Sequence, residues 1–159
     1  EKCYSECSAS MKRGPMENIR EILKESIFEV FERMFFIFLE PGGRAPVYDY
    51  EAAIRFDGPQ RGAIRILFTR PVARLMVRNM LGLGNGAVTE PHVEDCVKEA
   101  ANMVCGNFLV NLDASKKFTM SLPAFSVRPG QPPAVLEGVY AFDFECEDGK
   151  MGVILTLEA

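Results

Sequence analysis

The chain lacks the long apolar segment that a membrane-spanning helix requires. A span needs about 18 to 20 consecutive apolar residues, whereas the longest apolar run, MFFIFL at residues 34–39, is about a third of that length. The first ten residues, EKCYSECSAS, also lack the apolar central region of a secretory signal. These two absences argue against membrane insertion and do not predict secretion.

Excess positive charge and an even set of cysteines are also missing. The 159 residues contain 18 Lys and Arg against 22 Asp and Glu, a net charge of -4. The basic surface of a nucleic-acid-binding protein is therefore not expected, although an acidic protein can bind a basic patch on another protein. Three of the five cysteines, Cys96, Cys105 and Cys146, lie in apolar segments. Free buried thiols are typical of a reducing compartment, so we expect a cytoplasmic protein.

The composition that is present indicates one globular domain. Hydrophobic residues make up 48% of the chain and charged residues 25%, which is typical of a soluble fold with a single core. Residues 1–14 are polar and end at Gly14-Pro15, so we expect a flexible tail followed by one domain over residues 15–159. Cys3 and Cys7 of the tail are two possible ligands, too few for a structural zinc site.

Apolar residues at helical spacing predict three helices. The first begins near Met16, and the sequence PGG at residues 41–43 ends it; its last apolar residues are expected to pack deeply, and they are Phe35, Phe36, Phe38 and Leu39. Thr69 followed by Pro71 predicts the start of a second helix, capped by Thr69 and ended by GLGNG at residues 82–86. The third helix is predicted from residues 89–91 to about Asp113.

The remaining apolar runs alternate as strands do. Residues 47–56 and 62–68 are joined by the turn residues DGPQRG, and residues 139–146 and 151–158 by EDGK, so two hairpins are predicted. Residues 118–127 form a further strand before the loop RPGQPP. The order is helix, two strands, two helices and three strands, with a weak repetition of helix followed by hairpin. It predicts an α+β fold in which long helices pack on an antiparallel-rich sheet.

The third helix, which contains VKEAANMVCGNF at residues 97–108, is amphipathic. At about 100° per residue, one face collects five apolar residues: Val93, Val97, Ala100, Val104 and Phe108. The opposite face carries Asp95, Glu99, Asn102 and Gly106, which we call the polar stripe. Spacing alone leaves open whether this stripe is a contact surface or ordinary solvated surface.

Gly106 is an unfavourable choice in the middle of a helix, where it costs about 1 kcal/mol relative to alanine. A missing side chain lets another surface approach the helix closely. That surface could belong to another protein or to another part of the same fold, and the spacing does not decide between them.

Other constellations carry weaker signals. His92 and Cys96 are four residues apart, so a nucleophile–base pair is conceivable, but Cys96 lies near the apolar face, where packing explains it better. GLGNG lacks the full glycine pattern and the preceding strand of a phosphate-binding loop, and it is interpreted as a helix end.

Three segments together resemble the CheC/CheX chemotaxis phosphatases. EAANMVCGN at residues 99–107 resembles the E-x-x-N helix motif of that family, including the asparagine at Asn107. GPQRGAIRILF at residues 58–68 is similar to the family's glycine-flanked strand, and SLP at residues 121–123 to the strand after the motif helix. The resemblance covers residues 16–159. Only one copy of the motif is present, as in the CheX type.

The resemblance implies a CheC-like fold and dephosphorylation of the aspartyl phosphate on a CheY-like receiver domain. Asn102 would orient the attacking water, Glu99 would pair with a receiver lysine, and Asp95 and Gly106 of the same stripe would contact the partner. No cofactor of this chain is implied, since Mg²⁺ would belong to the receiver. A homodimer built around edge strands is also expected, with residues 139–146 and 151–158 as candidates.

Two other functions stay open on the sequence. One is a non-catalytic module on the same fold, of the receiver-binding or flagellar-switch type. The other is an unrelated α+β binding domain whose polar stripe is only solvated surface.

Overall fold

The computed structural model describes residues 15–115, 117–131 and 139–158, so the predicted tail at residues 1–14 lies outside the described residues. Its three helices are α1 (Pro15–Phe35), α2 (Arg70–Leu81) and α3 (Glu90–Leu112), with a short 3₁₀ turn at Asn85–Ala87. The seven strands are β1 (Glu40–Pro41), β2 (Tyr48–Asp57), β3 (Gly62–Phe68), β4 (Thr119–Met120), β5 (Ala124–Gln131), β6 (Val139–Cys146) and β7 (Gly149–Leu157).

The strands form one sheet in the order β1-β6-β7-β3-β2-β4, and β5 also pairs with β2. Every one of these pairings is antiparallel. One face of the sheet, which includes Ile54, Ile64 and Val153, shares a core with the helices. The other face carries a small cluster in which Tyr48 packs with Ala45, Leu67 and Ile154. The predicted α+β class, with helices packed on an antiparallel sheet, is confirmed.

Both predicted hairpins are present. In the first, Phe56 pairs with Gly62 across the turn. In the second, Cys146 pairs with Gly149, and a Cβ at Gly149 would lie 2.6 Å from Thr69 Oγ1. Thr69 Oγ1 donates to the carbonyl of Lys150 (2.9 Å) and accepts from its N–H (3.1 Å). The predicted side-chain cap at Thr69 is therefore wrong, because this hydroxyl joins the start of α2 to the hairpin instead.

The end of α1 also differs from the expectation. Phe36 has a φ of 54°, a left-handed conformation that ends the helix at Phe35. The chain beyond it alternates as an extended segment does, so that Phe35, Ile37 and Leu39 are buried while Phe36 and Phe38 are 66% and 73% exposed. Deep packing was thus predicted correctly for Phe35 and Leu39 and wrongly for Phe36 and Phe38.

The strand predicted at residues 118–127 is two strands, β4 and β5, and β5 continues through Gln131 into the predicted loop. Pro123 lies between them and has no N–H to donate to a ladder. β1 was not predicted, because two residues carry no periodic pattern.

The ends of α2 and α3 follow their local signals. Gly82 follows α2 with a φ of 64°, the left-handed conformation of a helix C-cap. At the start of α3, Pro91 lies in the first turn, and the N–H of Thr89 donates to Nδ1 of His92 (3.3 Å). The helix that carries the E-x-x-N motif therefore has well-defined ends close to those predicted.

Candidate functional site

The polar stripe of α3 faces away from the core. Asp95 and Glu99 are exposed, and Asn102 and Gly106 are partly exposed. On the opposite side of the helix, Val93, Val97, Ala100, Val104 and Phe108 are completely buried. The structure therefore brings the four predicted site residues together on one surface, at the phase of the helix that their spacing predicts.

The side chains of the stripe have no partners in the part of the chain that the structure describes. Within the described part of the chain, Asp95, Glu99 and Asn102 make no side-chain hydrogen bond or ion pair. The neighbouring acids differ: Glu94 pairs with Lys98 (2.7 Å), and Glu90 accepts from the hydroxyl of Tyr50 (3.0 Å). The carboxylates of Asp95 and Glu99 and the carboxamide of Asn102 are consequently available to groups outside the fold.

No contact among the described residues requires glycine at position 106. Among them, an added Cβ would meet only the Cε of Met120, at the ordinary contact distance of 3.9 Å. Its φ is not in the left-handed region that favours glycine. Within the described residues, a close contact with another part of the chain, one of the two explanations that the sequence left open, is therefore not found.

Apolar depressions lie at both ends of the stripe. The first, of about 270 Å³, lies between the end of α2 and α3 and is lined by Met80, Leu81, His92, Asp95, Cys96 and Glu99. The second, of about 570 Å³, is lined by residues that include Gly106, Leu109, Val110, Phe118 and Met120. The second helix was predicted from the sequence, but not that Met80 and Leu81 near its end are exposed. No signal in the sequence places Met120 beside Gly106.

The His92–Cys96 pair is not arranged as a nucleophile and base. Cys96 Sγ donates to Sδ of Met80 (3.9 Å), while Nδ1 of His92 accepts from the backbone of Thr89. Burial, with a smaller contribution from the charges of Asp95 and Glu99, raises the pKa of the Cys96 thiol. A raised pKa keeps the thiol protonated and unreactive, so packing is the better explanation of this cysteine.

Asn107 holds α3 against α1. Its Nδ2 donates to Oε2 of Glu29 (3.1 Å), and its Oδ1 accepts from Nδ2 of Asn111 (2.9 Å). Asn111 also reaches Oγ of Ser26 (3.3 Å), which is buried. We call these four residues the α1–α3 polar link. It fixes the position of the motif helix, and the sequence showed no pattern that predicted it.

A family model described as chemotaxis phosphatase CheX matches residues 50–144 of the chain, a segment that includes the polar stripe and most of the sheet. The chain belongs to the CheX family. Among curated proteins, none matches it. Within the described residues, no group of three or more His, Cys, Asp or Glu side chains could hold a metal ion.

Solved structures of CheX proteins share the fold. CheX from Desulfovibrio desulfuricans is 24% identical, with a TM-score of 0.74 over 88% of this chain and 99% of that one. CheX from Vibrio vulnificus is 23% identical, with the same TM-score and coverage. The CheX–CheY–BeF₃–Mg²⁺ complex from Borrelia burgdorferi is 20% identical, with a TM-score of 0.64 over 87% and 97%. In the described residues of this CheX-family chain, no helix is long and apolar enough to span a membrane.

Proposed function

We propose that the chain accelerates hydrolysis of the aspartyl phosphate on a CheY-like receiver domain in chemotaxis signalling. Asn102 orients the attacking water, and Glu99 pairs with a lysine of the receiver. Membership of a family described as chemotaxis phosphatases supports the activity. The receiver as partner is supported by the fold shared with the CheX–CheY complex, and the cytoplasm is the compartment where such a receiver would be met.

One structural observation, apart from family membership, supports the roles proposed for Glu99 and Asn102. Glu99 and Asn102 lie one helical turn apart on the outer face of α3, and neither side chain has a hydrogen-bond or ion-pair partner among the described residues. Because their polar atoms are not used within the described part of the fold, both side chains can form hydrogen bonds with another molecule. A carboxylate and a carboxamide presented together on a rigid helix suit recognition of a second polar surface.

The chemistry asks little covalent work of this chain. Water attacks phosphorus in line with the bond to the aspartyl oxygen, that bond breaks, and the products are inorganic phosphate and the free carboxylate. Catalysis then depends on positioning the water and on neutralising charge. A carboxamide holds water through its C=O and N–H groups and does not titrate near neutral pH, so Asn102 suits this role.

The charge on the stripe suits a basic partner group. Asp95 and Glu99 are both exposed and lie one turn apart, with no cation paired to either among the described residues. A lysine ammonium from the receiver would make a charge-assisted hydrogen bond with Glu99 and would orient the two proteins relative to each other. In this proposal the Mg²⁺ and the phosphoaspartate both belong to the receiver.

An Asn102→Ala variant tests the catalytic role. We expect it to keep its thermal stability and its affinity for a receiver loaded with beryllium trifluoride, because Asn102 has no partner among the described residues. The rate at which the receiver loses its phosphate should fall to the receiver's own rate. This rate is measured as the release of inorganic phosphate. Gln60→Ala is the control, since it removes a carboxamide from the turn between β2 and β3, outside α3 and the α1–α3 polar link.

If Asn102→Ala accelerates phosphate loss as well as the unmodified protein, the assigned role is wrong. If the unmodified protein binds the receiver and does not accelerate phosphate loss, the non-catalytic module is the correct function.

We also propose that two copies associate through β6. The other candidate strand, β7, was wrongly expected at an edge, because it pairs with β3 on one side and with β6 on the other. Its outer edge pairs with β1 only at Phe144 and Glu145, and residues 139–142 have no partner on that side among the described strands. The carbonyl of Asp143 points to this edge, where it accepts from Gly42 (3.0 Å). Because alternate residues point the same way, the N–H of Ala141 also points outward, and an unpaired edge of this kind is a template for pairing.

A further inference from the structure

The polar pair is too small to be the whole contact with a receiver. A stable complex buries about 800 Å² on each partner, which corresponds to a disc of roughly 16 Å radius. Exposed ion pairs add little affinity, so a single lysine on Glu99 would not hold the complex. A receiver docked on Glu99 and Asn102 must therefore cover the surface on either side of them.

The first apolar depression falls within that radius. Met80 Sδ lies 3.9 Å from Cys96 Sγ, and Cys96 is about one turn of α3 before Glu99. Leu81, next to Met80 and 48% exposed, lines the same depression. Glu99 itself lines the depression, as does Asp95, so a partner group that enters it lies beside two carboxylates.

The second depression lies at the other end of the stripe and within the same reach. Val110 is eight residues after Asn102, which is about 12 Å along a helix, and it is 62% exposed. Gly106 lines this depression and leaves it open, because the nearest side-chain atom to its missing Cβ is the terminal carbon of Met120. Methionine side chains adapt readily to a partner surface.

We propose that both depressions dock the receiver, which places an apolar side chain in each while its lysine and phosphoaspartate face Glu99 and Asn102 between them. This inference rests on the proposed function. It divides the surface into two parts: the apolar ends supply affinity, and the polar centre supplies chemistry. The receiver then carries apolar side chains on both sides of its phosphorylation site. A basic group of the receiver lies next to the apolar side chain that enters the first depression, which is lined by Asp95 and Glu99.

Leu81→Ala and Val110→Ala test the two ends separately. We expect each to weaken binding of a beryllium-trifluoride-loaded receiver about five- to tenfold, with the same rise in KM for the phosphorylated receiver and no change in kcat. The double variant should show the product of the two effects, because well-separated sites act independently. Val47→Ala is the matched control, since Val47 is an exposed valine between Ala45 and Tyr48, which pack on the sheet face without helices.

The outcomes separate this inference from the proposed function. If Leu81→Ala and Val110→Ala bind as tightly as Val47→Ala while Asn102→Ala loses activity, the docking inference is wrong and the catalytic proposal stands. If both variants weaken binding although the unmodified protein does not accelerate phosphate loss, docking stands and catalysis is wrong. A fall in kcat with unchanged binding would also overturn the division between the ends and the centre.

Discussion

Gly106 offers a change with opposite expected effects on stability and on function. Replacing it with alanine adds one methyl group on the polar stripe, one turn after Asn102. The new Cβ would lie 3.9 Å from Cε of Met120 and, among the described residues, would meet no other side chain or strand within 4 Å. The fold therefore accepts the methyl group, while any surface docked against α3 must move away to make room for it.

The gain in stability follows from helix propensity. Alanine is about 0.8 to 1.0 kcal/mol more favourable than glycine inside a helix, and here no clash offsets that gain. For a domain of this size, about 1 kcal/mol raises the melting temperature by roughly 2 to 4 °C. On the functional side, displacement of catalytic groups by about 1 Å can cost as much as 100-fold in rate, so we expect kcat/KM to fall at least tenfold.

The measurements are urea unfolding of the purified variant and the rate of phosphate release from a phosphorylated receiver. Gly43→Ala is the control for a glycine substitution in general. Among the described residues, its added Cβ would contact only the end of the Lys150 side chain, at 3.5 Å. Gly43 follows β1, at the opposite edge of the sheet from β4. We expect this control to leave the rate of phosphate release unchanged.

Either of two results would refute the reasoning. A Gly106→Ala protein that is less stable than the unmodified one would mean that the fold does need glycine at this position. A variant that gains stability and retains the full rate would mean that no partner approaches α3 at Gly106.

Two further variants test other features. Burial raises the pKa of the Cys105 thiol from 9.0 to about 12. Above pH 9 the unfolded chain therefore loses the thiol proton first, and the free energy of unfolding should fall by about 1.4 kcal/mol between pH 8 and 10. Urea titrations of Cys105→Ala should lack this component, and an unchanged pH dependence in the variant would contradict the assignment. Ala141→Pro removes an N–H from the free edge of β6, so light scattering should show monomers where the unmodified protein forms dimers, and dimers that persist would exclude this edge.

The fold was largely predictable because most of its elements carry local signals. The second helix has Pro71 in its first turn and ends at Gly82, whose φ of 64° suits glycine. The end of α1 was not predictable, since Phe36 adopts a left-handed conformation that a phenylalanine rarely takes. In the same way, the pairing of Thr69 with Lys150 depends on the packing of a hairpin against a helix, which no local pattern contains.

The candidate site was predictable to a different extent. Periodicity placed Glu99 and Asn102 on the outer face of α3, and it did so because a helix has one dominant period. Their roles in catalysis came from the resemblance to a family and stay a prediction. Periodicity could not place Leu81 or Met120 beside the stripe, because these contacts join segments that are distant in sequence.

The α1–α3 polar link has a consequence for how the sequence can change over evolution. A rotation or a shift of α3 by one residue would break its hydrogen bonds to Glu29 and Ser26, so the direction of the polar stripe does not depend on the shapes of individual core side chains. Apolar residues beneath α3 can then be exchanged for one another with little effect on where Asn102 points. The three CheX structures of similar fold are 20 to 24% identical to this chain. A sequence difference of that size is compatible with an unaltered stripe when such a link is kept.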